Sequence, residues 1–240
     1  MKRAALVYSG QPRNLKECFE NHVKHLIEKN QDWAFDFFGH LWMSKPDTAF
    51  WKEYPERGSW DSQDSNFLLF NWNPKRIVFE TPKNFESNLS PDPSCPHPVQ
   101  NTLSMLYSME QANMAKKSYE EHEGFEYDCV IRIRTDVCFA ESAGIDISSL
   151  DLSKMNVYEL GAHREYGFGD QLAISSSKNM DKYSSVFTNV NHLVESGCVM
   201  NPECLVGFNT IRHHGIDVVS HPRGRGTDWQ FVLYRDRGML

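Results

Sequence analysis

Short apolar runs alternate with longer amphipathic segments along this chain, which is the pattern of an α/β protein. The run from Ala4 to Tyr8 predicts a buried strand, and the segment from Asn14 to Lys29 predicts an amphipathic helix that Asn14 caps. The same reasoning predicts later strands at 33–42, 75–80, 155–160, 171–175, 217–220 and 229–233. It predicts later helices at 100–123, which Gly124 ends, and at 180–194 and 202–213.

Together these elements predict an α/β fold with a mixed, mostly parallel central sheet flanked by helices. The segment 87–98 is rich in Pro and Ser and predicts a loop. The chain contains no internal repeat, linker or low-complexity tract that would divide it. A single Rossmann-like domain over residues 1–240 is therefore the simplest organisation.

The run from Tyr127 to Phe139 places charge where a core strand ends. Its apolar, β-branched residues predict a strand that breaks at Arg134-Thr135-Asp136. Ligands of open α/β sheets bind beyond the carboxyl ends of the strands. Arg132 and Arg134 are two residues apart and share one face, an arrangement that suits a diphosphate. The alternative is a structural ion pair inside a buried strand.

The turn between the first strand and the first helix is a second candidate for anion binding. Backbone amides of Ser9 and Gly10 could hold an anion at the helix start, and Arg13 adds a positive charge. The glycine pattern matches neither the dinucleotide fingerprint nor a Walker loop, which disfavours both chemistries. The alternative is an ordinary tight turn with a surface arginine.

Further candidates carry acid–base or metal chemistry in the second half of the chain. Asp170 and Gln171 follow two glycines that would allow a close approach to a ligand, and Asp170 could accept a proton from a hydroxyl. Glu203 is a secondary candidate, because an acid after Pro202 is also good helix-start chemistry. His221 follows a predicted strand and could bind a metal, although a lone histidine is more often structural.

Composition and charge narrow the possible partners. The chain is 40% hydrophobic and 12% aromatic, which supports a large core, and its formal charge of −7 argues against a nucleic-acid partner. The N-terminal apolar run is too short for a signal sequence, and no stretch is long enough to span a membrane. The six cysteines form no CxxC pair, so a reduced, cytoplasmic protein is expected.

Four segments, in this order, resemble GT-A-type glycosyltransferases, in particular small bacterial and large-virus enzymes that decorate polysaccharides. The segments are Val7–Arg13, Phe38–Trp42, Tyr127–Phe139 and Gly169–Ile174, and the resemblance covers most of the chain. It implies a hexosyl- or deoxyhexosyltransferase. A nucleotide-diphosphate sugar would be bound across the N-terminal half, and a glycan acceptor by the C-terminal half.

The resemblance also implies roles for individual residues. Ser9, Gly10 and Arg13 would lie near the nucleotide. Asp170 and Gln171 would touch the donor sugar or the acceptor hydroxyl. Asp170, or Glu203, would be the general base if the enzyme inverts.

The family's metal-binding Asp-x-Asp falls on Arg134-Thr135-Asp136, so an arginine replaces the first aspartate. The resemblance gives Asp136 and His221 as ligands of a divalent cation, Mn²⁺ or Mg²⁺. Arg134 would repel such a cation, yet it could itself neutralise the diphosphate. Whether the site takes a metal is therefore open at this point.

Two other functions fit parts of the sequence. A sulfotransferase- or kinase-like enzyme could use the strand–loop–helix start for phosphate, although no Lys- or Ser/Thr-rich phosphate loop is present. The missing aspartate would also fit a non-catalytic carbohydrate- or nucleotide-binding relative of the transferases. Tryptophans on predicted loops suit either sugar stacking or core packing, namely Trp51, Trp60 and Trp72.

Overall fold

The computed structural model describes residues 1–43, 62–94, 98–161 and 164–233. Nine strands lie in these ranges: β1 (Lys2–Gly10), β2 (Trp33–Trp42), β3 (Arg76–Glu80), β4 (Cys129–Arg134), β5 (Val137–Phe139), β6 (Met155–Tyr158), β7 (Leu172–Ser175), β8 (Val218–His221) and β9 (Phe231–Leu233). The α-helices described are α1 (Leu15–His22), α2 (Ser62–Trp72), α3 (Val99–Glu123), α4 (Ser177–Ser184), α5 (Val186–Glu195) and α6 (Pro202–Phe208). Short π- and 3₁₀-turns extend α1 to Asn30 and α6 to His213.

Seven of the strands form one sheet in the order β3-β2-β1-β4-β7-β6-β8. Within it, β7 runs antiparallel to both of its neighbours, whereas the other four adjacent pairs are parallel. The predicted α/β fold with a mixed, mostly parallel sheet is therefore confirmed. Because β7 is reversed, its first residues lie beside the last residues of β4, at the edge of the sheet where β1 also ends. That edge of the sheet carries most of the predicted site residues.

Both faces of the central sheet are covered, which explains the unbroken apolar runs in β1 and β4. Side chains alternate between two cores: Ala5 and Val130 pack on the side of α3, α4, α5 and α6, whereas Leu6 and Ile131 face α1 and α2. Arg132 shares the face of Val130, so this cation is carried into a buried layer. Trp72 belongs to the second core, whereas Trp51 and Trp60 lie outside the described residues.

Several predicted boundaries are wrong, and local chemistry explains them. Asn14 makes no side-chain cap hydrogen bond, because its backbone is not in the extended conformation that caps need. The predicted helix at 180–194 is two helices that meet at Ser185, whose hydroxyl bonds the Lys182 carbonyl and competes with helical pairing. Helix α2 is missed entirely, since its aromatic and Asn-rich sequence has low helix propensity.

The predicted break after β4 is confirmed. The chain turns at Thr135 and Asp136, and β5 then leaves the main sheet to pair with β9. Gly124 ends α3 in the left-handed conformation, as predicted, with φ of 72°. Among the described residues, no helix is long and apolar enough to cross a membrane.

Fully buried His22 makes the fold sensitive to acid. The Tyr8 hydroxyl donates to His22 Nδ1 at 2.9 Å, and His22 Nε2 donates to the Val137 carbonyl at 2.6 Å. Burial lowers the pKa of His22 from 6.5 to about 4. A neutral imidazole is therefore favoured in the folded state, whereas the unfolded chain binds a proton already near pH 6.5.

The free energy of unfolding should consequently fall as the pH is lowered from 6.5 to about 4. Below that range, protonation of His22 should lower it no further. The loss is expected to be about 3 kcal/mol, at 1.36 kcal/mol for each unit of pKa. Urea unfolding across this range would measure it for the wild type, His22→Gln and the exposed control His122→Gln. If the free energy of unfolding of His22→Gln depends on pH as steeply as that of the wild type, His22 is not the group responsible.

Candidate functional site

A cavity of about 380 Å³ opens at the carboxyl end of β1 and β4. Its wall is built from the β1–α1 loop, the β4–β5 turn, the start of β7, the first turn of α3 and the start of α6. Nine predicted site residues line it: Ser9, Gly10, Arg13, Arg132, Arg134, Asp136, Asp170, Gln171 and Glu203. The predicted residue that does not line it is His221. Segments distant in sequence therefore converge on one cavity.

Asp136 is held between two guanidinium groups. Arg134 Nε donates to its Oδ1 at 3.1 Å and Arg134 Nη2 to its Oδ2 at 2.9 Å, a bidentate pair. Arg13 Nη1 reaches the same Oδ2 from the β1–α1 loop. Burial lowers the pKa of Arg134, but the charges of Asp136 and Asp170 outweigh it and hold the pKa above the ordinary value. The cluster thus joins the β1–α1 loop to the end of β4.

Arg132 is in a different situation. Its side chain is 1% exposed, and Nε and Nη2 both donate to the Ser9 hydroxyl, at 3.3 and 3.1 Å. The register explains this contact, because Ser9 and Arg132 lie on the same face of adjacent parallel strands. Nη1 is buried without a hydrogen-bond partner, and none of the ion pairs among the described residues includes Arg132. Arg132 is therefore a buried cation in the cavity wall that has no ion-pair partner among the described residues.

Two further buried polar atoms of the cavity wall, Gln11 Oε1 and Thr102 Oγ1, also lack hydrogen-bond partners. A buried polar atom without a partner costs about 1–3 kcal/mol, so proteins rarely retain several together. Together with Arg132 Nη1 they come from three separate elements and give the cavity wall polar atoms that a polar ligand could contact. Gln11 and Thr102 were not singled out by the sequence. Gln11 stands between two predicted residues, but nothing in the sequence around Thr102 marks it.

Asp170 also lines the cavity and is 3% exposed. Its Oδ1 accepts a hydrogen bond from Gln171 Nε2 and lies 3.9 Å from Arg134 Nη1. The backbone of Gln171 accepts from Arg134 N at 2.9 Å, which ties β7 to β4 beside the cavity. Asp170 is thus a held carboxylate next to the arginine cluster, placed to accept a proton.

Gly169 has a different role from the predicted approach to a ligand. A Cβ atom at this position would lie 1.9 Å from Tyr158 Cζ, so the glycine makes room for an aromatic ring. The Tyr158 hydroxyl in turn accepts from Gln171 N at 3.3 Å. The tight packing positions Asp170 and Gln171 indirectly, through Tyr158.

Glu203 lies in the first turn of α6, in agreement with the helix-start interpretation, and its catalytic role stays a prediction. The Asn201 side chain caps the helix by accepting from Cys204 N, and Pro202 occupies the first turn. Glu203 also lines the cavity. A favourable helix start and a position beside the ligand site are therefore compatible.

One of the backbone amides predicted to hold an anion is already engaged. Gly10 N donates to the Ser108 hydroxyl at 2.7 Å, and Ser108 in turn donates to the His40 carbonyl at 3.0 Å. His40 Nε2 lies 3.0 Å from Glu80 Oε2. Burial lowers the pKa of His40, although Glu80 opposes the shift. These hydrogen bonds, which the sequence did not indicate, connect the end of β1 to α3, β2 and β3.

His221 lies outside the cavity. Its Nε2 contacts Asn156 Oδ1 at 3.0 Å, and its ring stacks on Trp229 with centroids 4.4 Å apart. Burial lowers its pKa. These contacts account for the residue as part of the packing between β8 and its neighbours.

The residues around Asp136 do not fit a divalent cation. Both Asp136 oxygens accept from guanidinium groups, and positive charges at this distance oppose a second cation. In the described ranges, no group of three or more His, Cys, Asp or Glu side chains is placed to hold a metal ion. The donor set is that of an anion site.

Comparison with protein-family models finds no match for this chain, and comparison with curated proteins finds no match either.

Proposed function

We propose that the protein is a glycosyltransferase that moves a sugar from a nucleotide-diphosphate sugar to a hydroxyl group of a glycan acceptor. The observation that carries the proposal is the cavity, in which Arg13, Arg132 and Arg134 lie beside the buried carboxylate of Asp170. Such a site combines cations for a departing diphosphate with a base for an attacking hydroxyl. All four resembling segments contribute residues to the wall of this cavity, which supports the same conclusion.

The chemistry assigned to these residues is a displacement at the anomeric carbon. The acceptor hydroxyl oxygen forms a bond to that carbon as the bond to the diphosphate oxygen breaks. Asp170 takes the hydroxyl proton, and the arginines stabilise the charge that develops on the leaving diphosphate. Glu203 is the alternative base, since it lines the same cavity. No step requires a metal ion.

Calorimetric titration with UDP, GDP, ADP and their sugar conjugates tests the proposal. We expect at least one nucleoside diphosphate to bind, and its sugar conjugate to be turned over when glycan acceptors are supplied. The corresponding nucleosides, which lack phosphate, are the control and should bind more weakly because the arginines then have no anion to contact. Failure of every diphosphate to bind, with and without Mn²⁺, would refute the proposal.

A non-catalytic nucleotide- or carbohydrate-binding protein is the second candidate, and the arginine at position 134 favours it. Binding alone does not separate the two functions. Release of free sugar or of glycosylated acceptor from a bound donor would establish the enzyme. Tight donor binding with no release of either product would favour the binding protein.

A further inference from the structure

Resting on the proposed function, we propose that Arg132 is the principal contact of the donor diphosphate and that this contact replaces the metal ion. Arg132 Nη1 is the buried donor of this side chain that lacks a hydrogen-bond partner, and a phosphate oxygen in the cavity would supply one. Because this inference concerns how the diphosphate is held, it can fail while the proposed function stands.

The first argument is energetic. A charged side chain is almost never fully buried unless it is paired, because the interior solvates it poorly. Arg132 is 1% exposed, and the Ser9 hydroxyl, its hydrogen-bond partner, is neutral. Among the described residues, no ion pair offsets the free-energy cost of this burial. An anionic ligand in the cavity would offset the free-energy cost of burying the Arg132 charge.

The second argument is a comparison of the three arginines. Arg13 and Arg134 share the carboxylate of Asp136, and Arg134 also lies 3.9 Å from Asp170. Their charges are therefore largely compensated within the protein. Arg132 has no such carboxylate among the described residues and faces the same cavity. Of the three, it has the greatest electrostatic gain from a phosphate.

The third argument concerns the metal. A cation that bridged the diphosphate would lie near Asp136, where it would meet the guanidinium groups of Arg13 and Arg134. Arginine forms paired hydrogen bonds to phosphate oxygens and keeps its charge at every physiological pH. Arg132 thus supplies the positive charge that a metal would otherwise supply to the diphosphate. The guanidinium groups beside Asp136 also disfavour binding of the metal.

The test is titration of UDP, GDP and ADP by calorimetry, in EDTA and again with Mn²⁺, on the wild type and on Arg132→Met. We expect a diphosphate to bind the wild type equally well in both buffers. In Arg132→Met the dissociation constant should rise about 10- to 100-fold, as expected for loss of a hydrogen bond between charged groups. Arg225→Met, which removes an exposed arginine outside the cavity, should bind like the wild type.

Thermal unfolding without ligand separates a binding role from a structural one. Methionine removes an uncompensated buried charge and fills a similar volume, so the melting temperature of Arg132→Met should not fall. Arg132→Lys keeps a charge but loses the planar fork, and its affinity should lie between those of the wild type and Arg132→Met.

Wild-type affinity in Arg132→Met would overturn the inference and leave the proposed function intact. Binding that requires Mn²⁺ would overturn the inference and leave the proposed function intact. Absence of binding in both buffers would overturn the proposed function itself. Wild-type affinity in Arg132→Lys, together with a lower melting temperature in Arg132→Met, would make Arg132 a structural residue and would also overturn the inference.

Discussion

Replacing Asp170 with asparagine is expected to lower kcat for sugar transfer by about 10²- to 10⁴-fold, the usual contribution of a general base. Asparagine keeps the shape of the side chain and can still accept the hydrogen bond from Gln171 Nε2. It cannot take a proton from the acceptor hydroxyl. The loss should therefore appear in kcat, whereas the affinity for the nucleoside diphosphate should change little.

The measurement is the initial rate of transfer with the donor identified by calorimetry, at saturating acceptor. Asp32→Asn, which removes an exposed carboxylate far from the cavity in sequence, is the matched control and should retain the wild-type rate. Glu203→Gln is the informative comparison. If Asp170→Asn keeps its turnover and Glu203→Gln loses it, Glu203 is the base and the role given to Asp170 is wrong.

Replacing Asp136 with asparagine is expected to lower the free energy of unfolding by about 3–5 kcal/mol, as removal of one partner from a buried ion pair does. The Asp136 side chain is 1% exposed and joins Arg13 to Arg134. Without its charge, two guanidinium groups would repel each other in a poorly solvated place. The β1–α1 loop would also lose its attachment to the end of β4.

Urea unfolding at neutral pH measures this change, again with Asp32→Asn as the control. The double variant Arg134→Met/Asp136→Asn should be less destabilised than Asp136→Asn alone, because the excess positive charge is then reduced. If Asp136→Asn is as stable as Asp32→Asn, the ion pairs of Asp136 do not hold the β1–α1 loop in place. Equal destabilisation of the single and double variants would show that charge repulsion is not the cause.

The fold was predictable where local pattern decides it. The apolar runs of β1 and β4 indicated strands buried on both faces, and Arg132 and Arg134 are on one face because side chains alternate along a strand. The break after Arg134 was equally visible, since three polar residues follow one another there. These features depend on neighbours within a few residues.

The partners of the site residues could not be predicted in this way. Arg13 and Asp136 are 123 residues apart, and Gly10 and Ser108 are 98 residues apart. Tyr158, which occupies the space beside Gly169, also comes from another strand. Contacts of this kind form only when the strands take their order in the sheet. No spacing in the sequence encodes them.

The sequence by itself determined the α/β order of elements and placed charged residues at the carboxyl ends of the central strands, because hydrophobic periodicity is a local property. Only the tertiary structure decided which of those charges are compensated. Asp136 is neutralised by two arginines, and Arg132 is left buried with a single hydroxyl partner. Burial and pairing depend on every element that packs around a side chain, and so the basis for proposing an anion site emerges only from the assembled fold.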